Sequence, residues 1–442
     1  MLNRRLIKGV VAAVTGVLLA FQGVAQEIVA KPTKASGVYD VNERITWEVE
    51  IKGLPDKIQP PAEMHYVLKR GGLTQMKEGN LPLKDGKGTL ETELAEPGTV
   101  LAELRAKAGD KEIKWAAGAA VAPGKIELSA PKPDDFDAFW KAKVDELNAI
   151  PANPQLEAAD GGKEKVEYFK VQLDNIKGTH VYGQLAKPKG EGKYPALLIV
   201  QYAGVYGLPK SNVVNRADKG WLALNIMAHD LPFDQPEAFY KEKSAKELNN
   251  YMAIGNTDRE TSYFLRMYLG CYRAAEYLAT RPDWNGKTLV VMGTSQGGQQ
   301  SLVTAGLHPK ITAMIANVPA GCDVTGQKVG RAIGFPYWAN EAKWKKNEKI
   351  VEVGRYFDAC NFTQRASCPS LVALGLIDET CPPAGVYAAF NQLKGPKEVV
   401  VMPLSDHQGK RANAQAAFYS RSEAWLRALV KGEPAPVKPA AN

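Results

Sequence analysis

Gly293-Thr294-Ser295-Gln296-Gly297 has the form G-x-S-x-G, and it stands between an apolar run, Leu289 to Met292, and a helix-compatible stretch, Gln299 to Val303. A serine on a sharp turn between strand and helix is a nucleophile elbow, its hydroxyl lifted above a sheet. The flanking glycines let the backbone pass that tightly. A serine hydroxyl becomes a useful nucleophile only when a base takes its proton. The chain offers five histidines for that task. His65 lies in the amino-terminal quarter, far from the elbow in sequence. His180 sits inside a strand-like run, and His308 ends the helix behind the elbow. In a strand-serine-helix arrangement the chain order is Ser, then acid, then His, which also places His229 too early. His407 remains, in a loop after the strand-like Val399 to Met402.

The acid that orients the base belongs at the carboxyl end of the preceding strand, and Leu371 to Ile377 delivers Asp378 there. Its task is to accept the imidazole Nδ1 proton and stabilise the imidazolium. Asp406 is a rival, but adjacent side chains diverge, so it is poorly placed to bond the ring of the next residue. Asp323, after an earlier strand, is the weaker alternative. A tetrahedral oxyanion needs two backbone N–H donors, one from the residue after the nucleophile and one from the loop after an early strand. Gln296 supplies the first. Val205, in the turn Gln201 to Gly207, is the choice for the second. Tyr202, Tyr206 and Phe233 are expected near the mouth of the site as substrate contacts.

These positions require a scaffold of alternating elements. Ala196 to Gln201, Leu222 to Met227, Thr288 to Met292, Ile311 to Ala316, Leu371 to Leu376 and Glu398 to Met402 are short apolar runs of the kind buried on both faces of a parallel sheet. Between them lie helical stretches such as Ser262 to Ala279, whose Phe264, Met267, Tyr268, Cys271 and Ala275 share a face. The fold class is therefore α/β, with helices on both faces of a mostly parallel sheet. Before it, from Ile28 to about Pro123, runs such as Ile45 to Ile51 and Gly98 to Leu104 alternate apolar and polar residues between Gly, Pro and Asp turns. That pattern reads as a small antiparallel, immunoglobulin-like β-sandwich. A helix opens near Phe136, with Asp134 or Asp135 placed to cap it. Residues 432–442 read as a flexible tail.

Residues 1–25 carry Arg4, Arg5 and Lys8, then an apolar stretch from Val10 to Phe21, then Gly23-Val24-Ala25. This is the pattern of a secretory signal peptide, so the mature chain is expected to begin at Gln26 and to act in the periplasm or outside the cell. The expected organisation is thus 1–25 leader, 26–123 sandwich, 124–431 catalytic unit and 432–442 tail. The net charge of +8 comes without any block of basic residues, which gives no support to nucleic-acid binding. No later run is long enough to span a bilayer. Cys271, Cys322, Cys360, Cys368 and Cys381 show no zinc or redox spacing, and an odd count leaves at least one without a partner in the chain. Their pairing is open.

Several of these segments resemble one family. Pro133 to Trp140, Gly293 to Gly298, and Asp378-Glu379-Thr380-Cys381-Pro382-Pro383 with Tyr387 to Asn391 are similar to the acetyl xylan esterases and cephalosporin-C deacetylases of carbohydrate esterase family seven. The resemblance covers roughly residues 125 to 430. It implies an α/β-hydrolase fold, a Ser295–His407–Asp378 triad, an oxyanion site at Gln296 and Val205, and removal of acetyl groups from polysaccharide without metal or cofactor. The family's H-G-Y turn reads Ala203-Gly204-Val205 here, and its Arg-Gly-Gln signature is replaced in Ala228 to Pro232. The family's oligomer is a possible state of this chain. Two other readings start from the same elbow: a peptidase of the prolyl-oligopeptidase kind, whose usual propeller cannot fit in 100 residues, and a non-catalytic carbohydrate-binding protein on a hydrolase scaffold.

Overall fold

The computed structural model describes residues 26–438 apart from 56, 341, 342, 344 and 345. The leader expected at 1–25 lies outside the described residues. Eight strands come first: β1 (Glu27–Pro32), β2 (Val38–Tyr39), β3 (Ile45–Lys52), β4 (Glu63–Arg70), β5 (Thr74–Pro82), β6 (Lys87–Thr92), β7 (Gly98–Ala108) and β8 (Lys111–Val121). They form a three-stranded sheet, β1-β3-β6, and a five-stranded sheet, β2-β8-β7-β4-β5. Alternation along β3 sends Ile45, Trp47, Val49 and Ile51 inward against Leu68, Leu104 and Ala119 of the second sheet. One apolar core thus lies between two sheets, as the period of two predicts.

The chain then builds α1 (Phe136–Asn148), β9 (Gln155–Ala159), β10 (Val166–Asp174), β11 (His180–Pro188), β12 (Tyr194–Val200), α2 (Ser211–Ala217), β13 (Leu222–Ile226), α3 (Glu237–Ala245), α4 (Tyr263–Thr280), β14 (Trp284–Thr294), α5 (Gln296–Leu307), β15 (Ala313–Asn317), α6 (Glu348–Arg355), α7 (Ala359–Thr363), β16 (Ser370–Gly375), α8 (Pro383–Gln392), β17 (Lys397–Met402) and α9 (Ala416–Leu429). The strands join one nine-stranded sheet in the order β17-β16-β15-β14-β12-β13-β11-β10-β9. From β13 through β12 to β17 every pairing is parallel, while β9, β10 and β11 attach in antiparallel fashion. Both faces are covered. Leu198, Leu224 and Val291 pack with α4, α5 and α8, whereas Leu197, Ala223 and Val290 pack with α2 and α9. This is why the strands read as unbroken apolar runs rather than alternating ones.

Two expectations need correction. Asp135 occupies the N-cap position of α1 but makes no capping bond; its carboxylate accepts from Arg259 and from the Tyr356 hydroxyl, because two donors on neighbouring elements outcompete the local amides. The end of the chain is not loose over its described part. The Lys438 amide donates to Glu398 Oε2 at 2.8 Å, Arg421 donates to the Pro436 carbonyl, and Ala435 and Val437 pack on the core under α9.

The two sheet systems meet without a spacer. Ala120 of β8 belongs to the core of the large sheet, and Gly118 lies against the Leu376 carbonyl so closely that a Cβ there would sit 2.2 Å from the oxygen. The Ala332 amide donates to the Gly71 carbonyl at 2.8 Å, and the Arg411 guanidinium stacks over the Trp115 ring at 3.8 Å. The first of these contacts lies two residues before Asp378, and the last lies four residues after His407.

Candidate active site

β14 ends at Thr294 and α5 begins at Gln296, so Ser295 alone makes the turn. It does so at φ 59° and ψ −121°, a left-handed backbone rarely adopted by L residues. The strain is held by close packing. A Cβ at Gly293 would lie 2.5 Å from Gly297 backbone, and one at Gly297 would lie 2.6 Å from the Val200 carbonyl. The Ser295 amide donates to the Asn317 carbonyl at 2.9 Å, and its own carbonyl accepts from Ala320 at 3.0 Å. Backbone pinned on both sides keeps the turn from relaxing.

The structure brings three of the expected residues into one hydrogen-bonded row. The Ser295 hydroxyl donates to His407 Nε2 at 2.9 Å, and His407 Nδ1 donates to Asp378 Oδ2 at 2.8 Å. The other Asp378 oxygen accepts from the amides of Thr380 at 2.9 Å and Cys381 at 2.7 Å. Burial pushes the Asp378 carboxyl above its ordinary value, and the His407 ring and the two amides act against that rise. His407 is held from behind. Its carbonyl accepts from Gln415 Nε2 at 3.1 Å, and Gln415 Oε1 in turn accepts from Asn317, beside the elbow.

The rivals have other partners. Asp406 accepts from the Lys410 amide at 2.9 Å and closes its own loop. Asp323 accepts from the amide and hydroxyl of Ser129 at 2.8 and 2.6 Å and pairs with Arg331. His65 meets Glu78, His180 lies between Asp174 and Asp230, and His308 meets Glu276.

Gln296 is the first residue of α5, where an amide has no partner within the helix and points outward. Val205, expected to carry the second amide, lies in the loop after β12, which is tied down by Gln201. The side chain of Gln201 donates to the Tyr206 carbonyl at 3.0 Å and accepts from the Ala228 amide at 2.9 Å, while its carbonyl accepts from Gln300 at 2.8 Å. Val205 is therefore carried on a loop braced from β13 and from α5. Sequence reasoning missed Gln201 and Gln300; a glutamine directly before or after a catalytic turn was the available signal.

Of the expected substrate contacts, Tyr202 and Tyr206 stack at 4.6 Å and line a cleft of about 590 Å³ with Asn212, Arg216, Thr294 and Glu423, a lining that includes none of Ser295, Asp378 and His407. Tyr202 is 55% exposed. Phe233 does not line this cleft. It is buried with Leu208, Met227 and Tyr240, and its carbonyl accepts from the Leu208 amide at 3.0 Å, so it supports the loop from beneath. All five cysteines are buried and free. Asp378, Cys381 and His407 hold potential ligand atoms within 4.8 Å of one another, but Asp378 and His407 already use theirs on each other.

A nine-stranded sheet covered on both faces, an elbow at the end of β14, and the order Ser295, Asp378, His407 define an α/β-hydrolase. The chain belongs, more narrowly, to the acetyl xylan esterase (AXE1) family, whose profile matches residues 127–423. It is 32% identical over 385 residues to the acetyl esterase Axe7A of Xylanibacter ruminicola, a match covering 85% of each chain. That match is longer than the 127–423 span allows, so it includes part of the amino-terminal strands. Among solved structures, an acetyl xylan esterase from Paenibacillus sp. R4 superposes with a TM-score of 0.59 at 25% identity, over 70% of this chain and 98% of its own. Acetyl xylan esterase 1 from Thermoanaerobacterium sp. JW/SL YS485 has the same fold, with a TM-score of 0.59 at 23% identity over 69% of this chain and 96% of its own. The protein is an esterase of this family.

Proposed function

We propose that the protein removes acetyl groups from an acetylated saccharide through a Ser295–His407–Asp378 triad and an acyl-enzyme. The observation that carries this is the placement of His407, whose two ring nitrogens each meet one of the other two side chains within 2.9 Å. Ser295 Oγ attacks the ester carbonyl carbon while its proton passes to His407 Nε2. The negative charge on the carbonyl oxygen is met by the amides of Gln296 and Val205. Collapse expels the sugar alcohol, which takes the proton from His407 and leaves an acetyl-serine. Water then gives its proton to the same nitrogen and attacks the acyl carbon; collapse breaks the bond to Ser295 Oγ, which takes the proton back from His407, and acetate leaves. Asp378 accepts the Nδ1 proton throughout and keeps Nε2 free to act as base.

The acetylated carbohydrate is suggested by the family and by the acetyl esterase the chain resembles. Export rests on the leader-like residues 1–25, and a mature amino terminus at Gln26 in material recovered outside the cytoplasm would support it. No described helix is long and apolar enough to cross a membrane. The direct test is turnover of p-nitrophenyl esters from acetate to octanoate alongside acetate release from acetylated xylo-oligosaccharides. Each methylene is worth roughly 1–3 kcal/mol of discrimination in an apolar pocket, so a graded preference for acetate is expected. A rate rising toward octanoate would instead indicate a long acyl groove.

A further inference from the structure

His229 was set aside as a base because of its place in the chain, and in the structure it is 1% exposed and has no bond to Ser295 or Asp378. Its bonds lead elsewhere. Nε2 donates to the Gly204 carbonyl at 3.0 Å, and Nδ1 accepts from the Tyr263 hydroxyl at 2.6 Å. The Tyr251 ring stands edge-on to the imidazole at 5.0 Å, and the Tyr251 hydroxyl donates to Gln296 Oε1 at 2.6 Å.

The carbonyl held by His229 belongs to the same peptide unit as the Val205 amide. A trans peptide is planar, and its C=O and N–H point in opposite directions. Fixing the carbonyl on one side therefore fixes the direction of the amide on the other. The residue bearing that carbonyl is a glycine at φ +119°, a conformation open to glycine and costly for others. A glycine can also turn its peptide over at small cost, which would aim a carbonyl oxygen at the oxyanion. We propose that His229, held in its Nε2–H tautomer by Tyr263, is the positioning residue that orients the Gly204–Val205 peptide and so sets the second oxyanion donor.

This rests on reading Gln296 and Val205 as the oxyanion donors. The surroundings fit a permanently neutral ring. Arg266, whose guanidinium lies 4.6 Å over the Tyr263 ring, also donates to the Ala228 carbonyl next to His229, and no described carboxylate bonds the imidazole. Burial and the nearby Arg266 charge lower the His229 pKa to about 4. A charged imidazole would carry a proton on Nδ1 and turn the Tyr263 hydroxyl from donor to acceptor.

The test compares wild type, H229L and H229Q on p-nitrophenyl acetate, with crystal structures of each. The amide nitrogen of Gln can replace the Nε2 donor, and Leu cannot. H229L is expected to lose kcat on the order of 10²-fold with KM unchanged, the scale of one lost oxyanion donor, while H229Q recovers most of it. In the H229L structure the Gly204–Val205 peptide should be reoriented. Wild-type kcat in H229L, equal losses in H229L and H229Q, or an unmoved peptide in H229L would overturn the proposal. Should H229L fail to fold, Y263F decides by the same readouts: it should lower kcat at constant KM, and an unaltered kcat would refute the role. Wild type inactive on every ester would count against the esterase mechanism, and the peptide orientation would still judge His229.

Discussion

Ser295 sits at a backbone angle that its neighbours enforce, so replacing its side chain should leave the fold in place. Ser295→Ala is expected to cost on the order of 10⁶ in kcat with an unchanged melting temperature, since triad members act as a unit. Asp378→Asn should fold and lose about 10⁴ in kcat, because the base is then held in the wrong tautomer. Asp406→Asn, which touches only its own loop, should keep near-wild-type turnover; parallel assays of the two variants separate the acids. His229 gives a pH prediction. Its pKa is about 4 in the folded protein and lies near 6.5 when free, so the unfolded state binds the extra proton between those values. Its share of stability is present above about pH 6.5 and is lost as pH falls toward 4, on the order of 3 kcal/mol. Denaturant midpoints for wild type and His229→Gln should therefore converge as the pH is lowered through that window. The hydrogen-bonded row of Ser295, His407 and Asp378 was legible because an elbow motif, a fixed chain order and only five histidines leave few assignments. The place of His229 was not, since the same elimination that found His407 removed it, and the role proposed for it arises only when its ring is seen against a carbonyl 25 residues away.

At the level of elements, the chemistry depends on how closely α5 approaches the ends of β12 and β15. Gly297→Ala would set a methyl 2.6 Å from the Val200 carbonyl, where neither strand nor helix can yield easily. We expect a destabilisation of about 1–3 kcal/mol and a lower kcat, read from urea unfolding and from ester turnover, because the displaced α5 carries the Gln296 amide with it. The apolar runs announced these strands well, and most observed bounds fall within a residue or two of the runs. The antiparallel strands β9 to β11 were less visible: alternation in β10 is interrupted by half-buried Phe169 and Lys170, and β9 is largely exposed at the sheet edge. Phe233 was misplaced for a related reason. An aromatic after a catalytic strand can face solvent or core, and only the packing of Leu208, Met227 and Tyr240 decides which.

Across the whole molecule, the amino-terminal strands act on the site from outside it. Gly118→Ala would press a methyl onto the Leu376 carbonyl, two residues before the acid. It should lower both stability and kcat, and a variant lacking residues 26–123 should be poorly folded because Leu376, Ala332 and Arg411 lose their cover. Thermal unfolding of the full chain followed by tryptophan fluorescence and by activity should give one coincident transition; two separate ones would mean the halves are independent. The partner could not be read from sequence, where Gly118 is one of a run of small residues from Ala116 to Ala120, buried from Ala117 onward without alternation, and Leu376 lies hundreds of residues away. The same contact sets an order of events during synthesis. Chains emerge amino terminus first, and early domains generally fold as units, so β8 is complete long before Leu376 exists. The newborn sandwich must wait with the backbone around Gly118 and Ala120 uncovered, and the hydrolytic centre cannot close until the segment bearing His407 and Arg411 has been made. Activity is thereby withheld from every chain that ends before His407.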